Sequence, residues 1–226
     1  MYNSDQLYGL DDRDIDFRSL SAPIHREVVA PFLRLQAKAL AAGFALEIAS
    51  GYRSFERQLA IWNAKLGGER PVLDLQGLPL DLAPLTPWQQ VEAILRWSAL
   101  PGTSRHHWGT DLDVYDGAAV EVDYRVQLSV QEVEPGGPFA AMHDWLDCMI
   151  ERGEAEGFFR PYADDRGGVA PERWHLSYGP LAGLFESGVD RAQLARVLEG
   201  KPLRLKAVVL ENLDEILRRF VAVAGR

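Results

Sequence analysis

The sequence predicts an α+β fold, in which a small antiparallel sheet is flanked by helices and followed by a C-terminal helical extension. Apolar residues recur at helical spacing near both ends of the chain. Between those segments, short stretches alternate apolar and polar residues as strands do. Pro–Gly and Gly–Gly pairs separate the elements, which indicates short elements joined by turns. A mixed order with few strands is typical of the α+β class.

Helices are predicted over residues 25–40, 54–66, 87–99, 139–152, 191–198 and 205–223. Pro31 marks an early turn or a kink in the first helix. Ser54 caps the second helix, and Pro87 takes the favoured first position of the third. The two C-terminal helices either cap the core or form a dimer contact.

Strands are predicted over residues 44–48, 110–116, 120–133 and 173–178. Residues 1–24 form an irregular lead-in, and residues 69–87 form a Pro- and Leu-rich loop. Residues 25–180 then make the main domain, and residues 181–226 make a helical extension packed on it.

Charge and cysteine content exclude several classes of protein. The 226 residues carry 24 Lys and Arg against 33 Asp and Glu, a net charge of −9, which argues against a nucleic-acid partner. The single cysteine, Cys148, excludes a disulfide framework and a Cys-rich zinc site, so any metal must use histidines and carboxylates. No apolar run is long enough to span a membrane and no signal peptide is visible. We therefore expect a cytoplasmic location, or the periplasm or cell envelope if an upstream signal was removed.

The first candidate site follows from the parity of the strand over residues 110–116. Successive strand residues face opposite ways, so Asp111 and Asp113 share the face opposite the apolar core. The preceding loop holds His106 and His107. Buried together, these groups require a cation. The alternative is a solvent-facing acidic strand edge with two surface histidines.

A second segment adds a histidine and a carboxylate. His175 alone is typical of a buried core histidine, but with His106 and Asp113 it completes a set of two histidines and one carboxylate. Such a set with an open fourth position suits catalytic zinc. Glu172 could act as general base if the chain turns near Pro171, because a fully extended strand would place it on the opposite face from His175.

Three motifs together are similar to those of the D-Ala-D-Ala carboxypeptidase and dipeptidase family of zinc peptidases (VanY- and VanX-like). They are Ser-x-His-x-x-Gly-x-x-x-Asp from Ser104 to Asp113, Glu-x-x-His ending at His175, and Ser-Gly-Tyr-Arg-Ser from Ser50 to Ser54. The resemblance covers roughly residues 25–180. It implies the small metal-bearing α+β fold that this family shares with lysostaphin-type enzymes and hedgehog domains.

The resemblance also implies a role for each matching residue. His106, Asp113 and His175 would ligate Zn²⁺, and Glu172 would be the catalytic base. Arg53 would stabilise charge on the substrate carbonyl or hold its carboxylate; the alternative is a surface salt bridge to an acid such as Glu56.

The resemblance implies further, less specific roles nearby. Ser104 and Gln58 would contact substrate, unless they are a turn-capping hydroxyl and an exposed helix amide. Asp111 departs from the family, which usually has a small residue there. It is either a partner of a ligand histidine or a substrate contact that alters substrate choice. We do not expect His107 to be a ligand.

The function implied is zinc-dependent hydrolysis of a C-terminal D-amino-acid peptide bond in peptidoglycan stem peptides or muropeptides. The product would be D-Ala, released by a DD- or LD-carboxypeptidase. One alternative is an L-Ala-D-Glu-type endopeptidase that cuts inside the stem. Another is a metal-binding pseudo-enzyme, which would not need Glu172. A non-haem Fe(II) oxygenase is disfavoured, because its histidine and carboxylate usually lie two residues apart rather than seven.

Overall fold

Two antiparallel sheets lie among the residues that the structure, a computed structural model, describes, namely 3–222. A two-stranded sheet pairs β1 (Ile15–Asp16) with β2 (Ile24–His25). The larger sheet consists of β3 (Leu46–Ser50), β4 (Asp111–Asp116), β5 (Phe158–Phe159) and β6 (His175–Tyr178), in the spatial order β3-β4-β6-β5. All neighbours in it are antiparallel.

Helices surround the larger sheet. They are α1 (Ser4–Leu7), α2 (Arg26–Ala41), α3 (Phe55–Leu66), α4 (Pro87–Leu95), α5 (Val130–Val133), α6 (Ala140–Glu151), α7 (Gly179–Glu186), α8 (Arg191–Glu199), α9 (Lys206–Glu211) and α10 (Leu213–Ile216). The predicted α+β class is confirmed. Ser54 caps α3, accepting a hydrogen bond from Arg57 N, and Pro31 lies inside α2 without ending it.

The predicted strand over residues 120–133 is wrong. A loop followed by α5 occupies this segment, which comes directly after a 3₁₀ turn over Gly117–Ala119. The buried Glu132 carboxylate accepts hydrogen bonds from Gln127 N at 2.9 Å and Ser129 N at 3.0 Å. Because the loop wraps around this carboxylate, its backbone N–H groups find an acceptor without pairing to another strand. An alternation of apolar and polar residues does not reveal such an arrangement.

The predicted helix over residues 205–223 is interrupted, and its last residue lies outside the described part of the chain. Asn212 separates α9 from α10, and its side chain donates a hydrogen bond to Val208 O at 2.8 Å. Side-chain amides compete with the helical hydrogen bonds in this way. A π-helical turn over Leu217–Val221 follows.

Several short elements have no counterpart in the sequence prediction. Helix α7 buries Leu181, Ala182 and Phe185 but is too short for a clear periodic signal. The lead-in contains α1 and β1 instead of being irregular throughout; Met1 and Tyr2 lie outside the described residues.

The C-terminal helices cap the core. Leu194, Val209 and Ile216 are fully buried in the same cluster as Leu112 and Val114 of the central strand. Helix α3 also contacts the extension, since Trp62 Nε1 donates a hydrogen bond to Arg204 O at 3.1 Å. The division of the chain near residue 180 stays a prediction.

We expect Trp62→Ala to lower the free energy of unfolding by about 3–5 kcal/mol, because it empties a large buried volume between the core and the extension. Urea unfolding followed by circular dichroism measures this loss. Val122→Ala is the control, since Val122 is fully exposed and its change should stay within about 0.5 kcal/mol. Equal losses in both variants would contradict the packing described here.

Among residues 3–222, no helix is both long enough and apolar enough to cross a membrane.

Candidate metal centre

Strand register brings the first two candidate ligands together. Strands β4 and β6 pair so that Asp113 lies directly opposite His175. Side chains of directly opposed residues in an antiparallel pair project to the same face, with Cβ atoms about 4.5–5.5 Å apart. Strand pairing thus brings Asp113 and His175 together although they lie 62 positions apart in the sequence.

The third candidate ligand, His106, lies on a 3₁₀ turn over Arg105–Trp108 that leads into β4. The turn ends at Gly109, whose φ is +66°. A Cβ atom there would lie 2.6 Å from His25 N, so this position requires glycine. The turn places His106 beside the strand pair, and ligand atoms of His106, Asp113 and His175 all lie within 4.8 Å of one another.

Hydrogen bonds assign the nitrogen that each imidazole presents. His106 Nδ1 lies 2.9 Å from Gly51 O, so its N–H points to that carbonyl and Nε2 faces Asp113. His175 Nε2 lies 3.1 Å from Asp111 Oδ1, which leaves Nδ1 facing Asp113 and Glu172. Second partners of this kind are typical of metal-ligating histidines.

A zinc ion fits this donor set. Asp113 Oδ1 is a buried carboxylate oxygen with no hydrogen-bond partner among the described residues, although buried acceptors are nearly always paired. Two imidazole nitrogens and one carboxylate oxygen are a usual ligand set of catalytic zinc.

The electrostatics of the group point in the same direction. Burial raises the pKa of Asp113 to about 6, and the neighbouring Glu172 adds to this rise. For His175, burial lowers the pKa, but hydrogen bonds to Asp111 and Glu172 outweigh it and raise the pKa to about 10. Burial and Arg53 lower the pKa of His106 well below its usual value. One cationic imidazole thus stands among carboxylates, and a metal ion would displace its proton.

The backbone turns just before β6, as it must if Glu172 and His175 are to face the same side. His175 N donates a hydrogen bond to Glu172 O at 3.0 Å, so residues 172–175 form a turn and the strand begins only at His175. Both side chains therefore lie on one side, with Glu172 Oε2 3.1 Å from His175 Nδ1.

Arg53 lines the same cleft and is held by two side chains. Its Nη1 donates to Gln58 Oε1 at 2.9 Å, and its Nη2 donates to Ser50 Oγ at 3.2 Å. The alternative of a surface salt bridge to Glu56 is not seen among the described residues, where Arg53 bonds to Gln58 and Ser50 and Glu56 pairs with Lys201. His107 fixes the backbone, since its Nδ1–H points to Arg53 O at 2.6 Å and its Nε2 accepts from a backbone amide.

Two predicted substrate contacts need correction. Gln58 is fully buried, and its Nε2 donates to Ala99 O at 2.6 Å, so it orients Arg53 and is neither a substrate contact nor an exposed amide. Asp111 is also fully buried and pairs with Arg105 and His175, which leaves it out of substrate reach. Strand parity places Asp111 correctly on the face of Asp113 but does not show how deep it lies.

The cleft has a volume of about 240 Å³. Ser104 lines it, and its role as a substrate contact stays a prediction. Lys65, Trp97 and Tyr162 also line it, and sequence reasoning missed all three. They come from the end of α3, the segment after α4 and the loop after β5, outside the motifs, and only the tertiary fold brings them to the metal centre.

Two solved structures have the same fold as this chain. VanYB in complex with D-alanine-D-alanine has a TM-score of 0.51 and 23% identity, over 84% of this chain and 91% of that chain. A VanY D,D-pentapeptidase variant from a VanB-type resistance cassette, in complex with Zn(II), has the same score and identity over 86% and 88%. These likenesses show the fold.

Sequence relatives are more limited in extent. An uncharacterized protein of Haemophilus influenzae is 51% identical over 77 residues, which are 34% of this chain. The match spans 53% of that relative, or about half its length. A longer match is to a family: residues 21–181 fit the sequence profile of VanY, D-alanyl-D-alanine carboxypeptidase. Because this match covers well over half of the chain and agrees with the motifs, the protein belongs to the VanY family of D-alanyl-D-alanine carboxypeptidases.

Proposed function

We propose that this protein is a zinc carboxypeptidase that removes a C-terminal D-amino acid, D-Ala, from peptidoglycan stem peptides. One observation carries the proposal: His106, Asp113 and His175 converge within 4.8 Å beside Glu172, in a cleft that also contains Arg53. The family match supports it, as do the two structural neighbours, one solved with D-alanine-D-alanine and one with Zn(II).

His106 Nε2, Asp113 and His175 Nδ1 would hold the zinc ion. When bound, zinc supplies Lewis acidity that polarises a carbonyl and lowers the pKa of a coordinated water to about 7. The three ligand side chains are buried and fixed by hydrogen bonds and strand pairing, so little conformational freedom is lost on binding.

Glu172 moves the proton. Its carboxylate accepts a proton from the attacking water as the water oxygen bonds to the scissile carbonyl carbon. The carbon–nitrogen bond then breaks, and Glu172 returns the proton to the leaving amine of the D-amino acid. With its side chain 12% exposed in the cleft, Glu172 contacts both His175 and the space that substrate enters.

Arg53 binds the anionic part of the substrate. Among the described residues, one N–H on each of its two terminal nitrogens bonds to a side chain, Gln58 or Ser50. The planar guanidinium has five N–H groups, so donors remain for the carboxylate or the developing oxyanion of the substrate.

We expect Arg53→Ala to reduce kcat/KM about 10- to 100-fold for stem peptides with a free C-terminal carboxylate, because a charge-assisted bidentate contact contributes about 1.5–3 kcal/mol. Peptides with an amidated C-terminus should lose less. Arg57→Ala is the control, since Arg57 is an exposed arginine on α3. An equal loss on both substrates would contradict carboxylate binding by Arg53.

The function is tested by metal analysis and by mass spectrometry of products from a panel of tetrapeptide and pentapeptide muropeptides. We expect one zinc per chain and release of D-Ala. Release of internal fragments instead would identify an endopeptidase. Zinc binding without any product would identify a binding module.

A further inference from the structure

A buried ion pair lies directly behind His175. Asp111 Oδ1 accepts hydrogen bonds from His175 Nε2 at 3.1 Å and from Arg105 Nε at 2.7 Å. Thr110 Oγ1 donates to the other carboxylate oxygen at 2.6 Å. The Asp111 side chain is 0% exposed and that of Arg105 is 2% exposed. Both charged groups are therefore shielded from bulk solvent.

The two terminal nitrogens of Arg105 each have a partner as well. Its Nη2 donates to Ser177 Oγ at 2.7 Å, and its Nη1 donates to Glu186 Oε2 at 3.2 Å. The guanidinium lies over the Trp108 ring at 4.9 Å. Removing two charges from water costs free energy, which the pair regains only with good geometry and additional hydrogen bonds such as these. The Arg105–Asp111 pair contacts the candidate ligand His175, so it calls for a functional explanation as well as a structural one.

We propose that Arg105 and Asp111 are positioning residues for the metal: together they fix His175 with its proton on Nε2, direct Nδ1 into the cleft and strengthen zinc binding. The inference rests on the proposed function, because it needs zinc at His175. An anionic acceptor makes the imidazole a better ligand and restrains its ring orientation. Arg105 Nε donates to Asp111 Oδ1 at 2.7 Å and so supplies the opposite charge that a carboxylate buried at this depth requires.

Zinc dissociation constants, measured by competition with a chelator, test this role without relying on turnover. Asp111→Asn and Asp111→Ala should weaken zinc binding about 10- to 100-fold, the usual effect of removing such a partner. Asp116→Asn is the matched control, because Asp116 is a buried carboxylate on the same strand that accepts hydrogen bonds from Ala45 N and Ala118 N. Its zinc affinity should equal that of the wild type.

A double variant separates positioning from mere structural support. Arg105→Met/Asp111→Leu removes both charges and replaces them with apolar groups, a change that often leaves stability unaltered. We expect its metal-free unfolding midpoint to stay near that of the wild type while its zinc affinity remains 10- to 100-fold weaker. Long-range ¹⁵N spectra of the zinc-loaded wild type should show His175 protonated at Nε2.

The outcomes are distinct. Wild-type zinc affinity in both single variants overturns the inference. So does a double variant that regains full affinity together with stability, since the pair would then act only through the fold. A His175 ring protonated at Nδ1 in the zinc-loaded wild type overturns it as well. Failure of the wild type to bind zinc would instead refute the proposed function.

Discussion

Glu172→Gln should retain zinc and lose about 100- to 10,000-fold in kcat for release of D-Ala, the usual contribution of a general base. Glutamine keeps the size and the hydrogen-bonding oxygen of glutamate but accepts no proton. The Glu172 carboxylate lies 3.1 Å from His175 Nδ1 and lines the cleft. Among the described residues, the only other carboxylate that lines the cleft is the candidate ligand Asp113, so no second base is available. Mass spectrometry measures the rate of D-Ala release, and metal analysis of the same samples measures the zinc content.

The control for this result is Glu121→Gln, because Glu121 is exposed. It should match the wild type in zinc content and rate. Undiminished turnover in Glu172→Gln would remove Glu172 from the mechanism. Loss of zinc in the same variant would show that Glu172 is a ligand rather than a base.

Sequence spacing predicts the members of the metal centre better than their surroundings. Parity within β4 places Asp113 on the correct face, and the motif supplies His106. The pairing of Asp113 with His175 depends on strand register, which one sequence does not reveal. The turn at residues 172–175 also depends on tertiary hydrogen bonds, including one from Glu172 N to Tyr162 O.

The sequence predicts least well how deeply the polar side chains near the site are buried. The family resemblance implies a substrate contact for Gln58 and leaves that role open for Asp111, yet both side chains are fully buried. Each is satisfied by a partner distant in sequence or on another element: Ala99 O for Gln58, and His175 for Asp111. The cost of burying a polar group depends on such partners, and these are known only once the chain has folded.

Periodicity predicts the long helices α2 and α6 to within a residue or two, since their apolar stripes face one core. It fails where side chains compete with the backbone, as at Glu132 and Asn212. Alternation and helical spacing describe which face is buried. They do not describe a carboxylate or an amide that takes over backbone hydrogen bonds.

His106→Ala should weaken zinc binding by more than about 100-fold, because it removes one of the three candidate ligand atoms. This loss should exceed the roughly 10- to 100-fold effect of removing a residue that only supports a ligand. At a free zinc concentration 100 times the dissociation constant, the wild type should gain about 2.7 kcal/mol in stability, and the variant should lose most of that gain. Chelator competition and thermal unfolding with and without zinc measure both. His143→Gln is the control, since His143 is a buried imidazole on α6 that lies beside Arg160, outside the cleft. Zinc retained by His106→Ala at wild-type affinity would refute the ligand assignment.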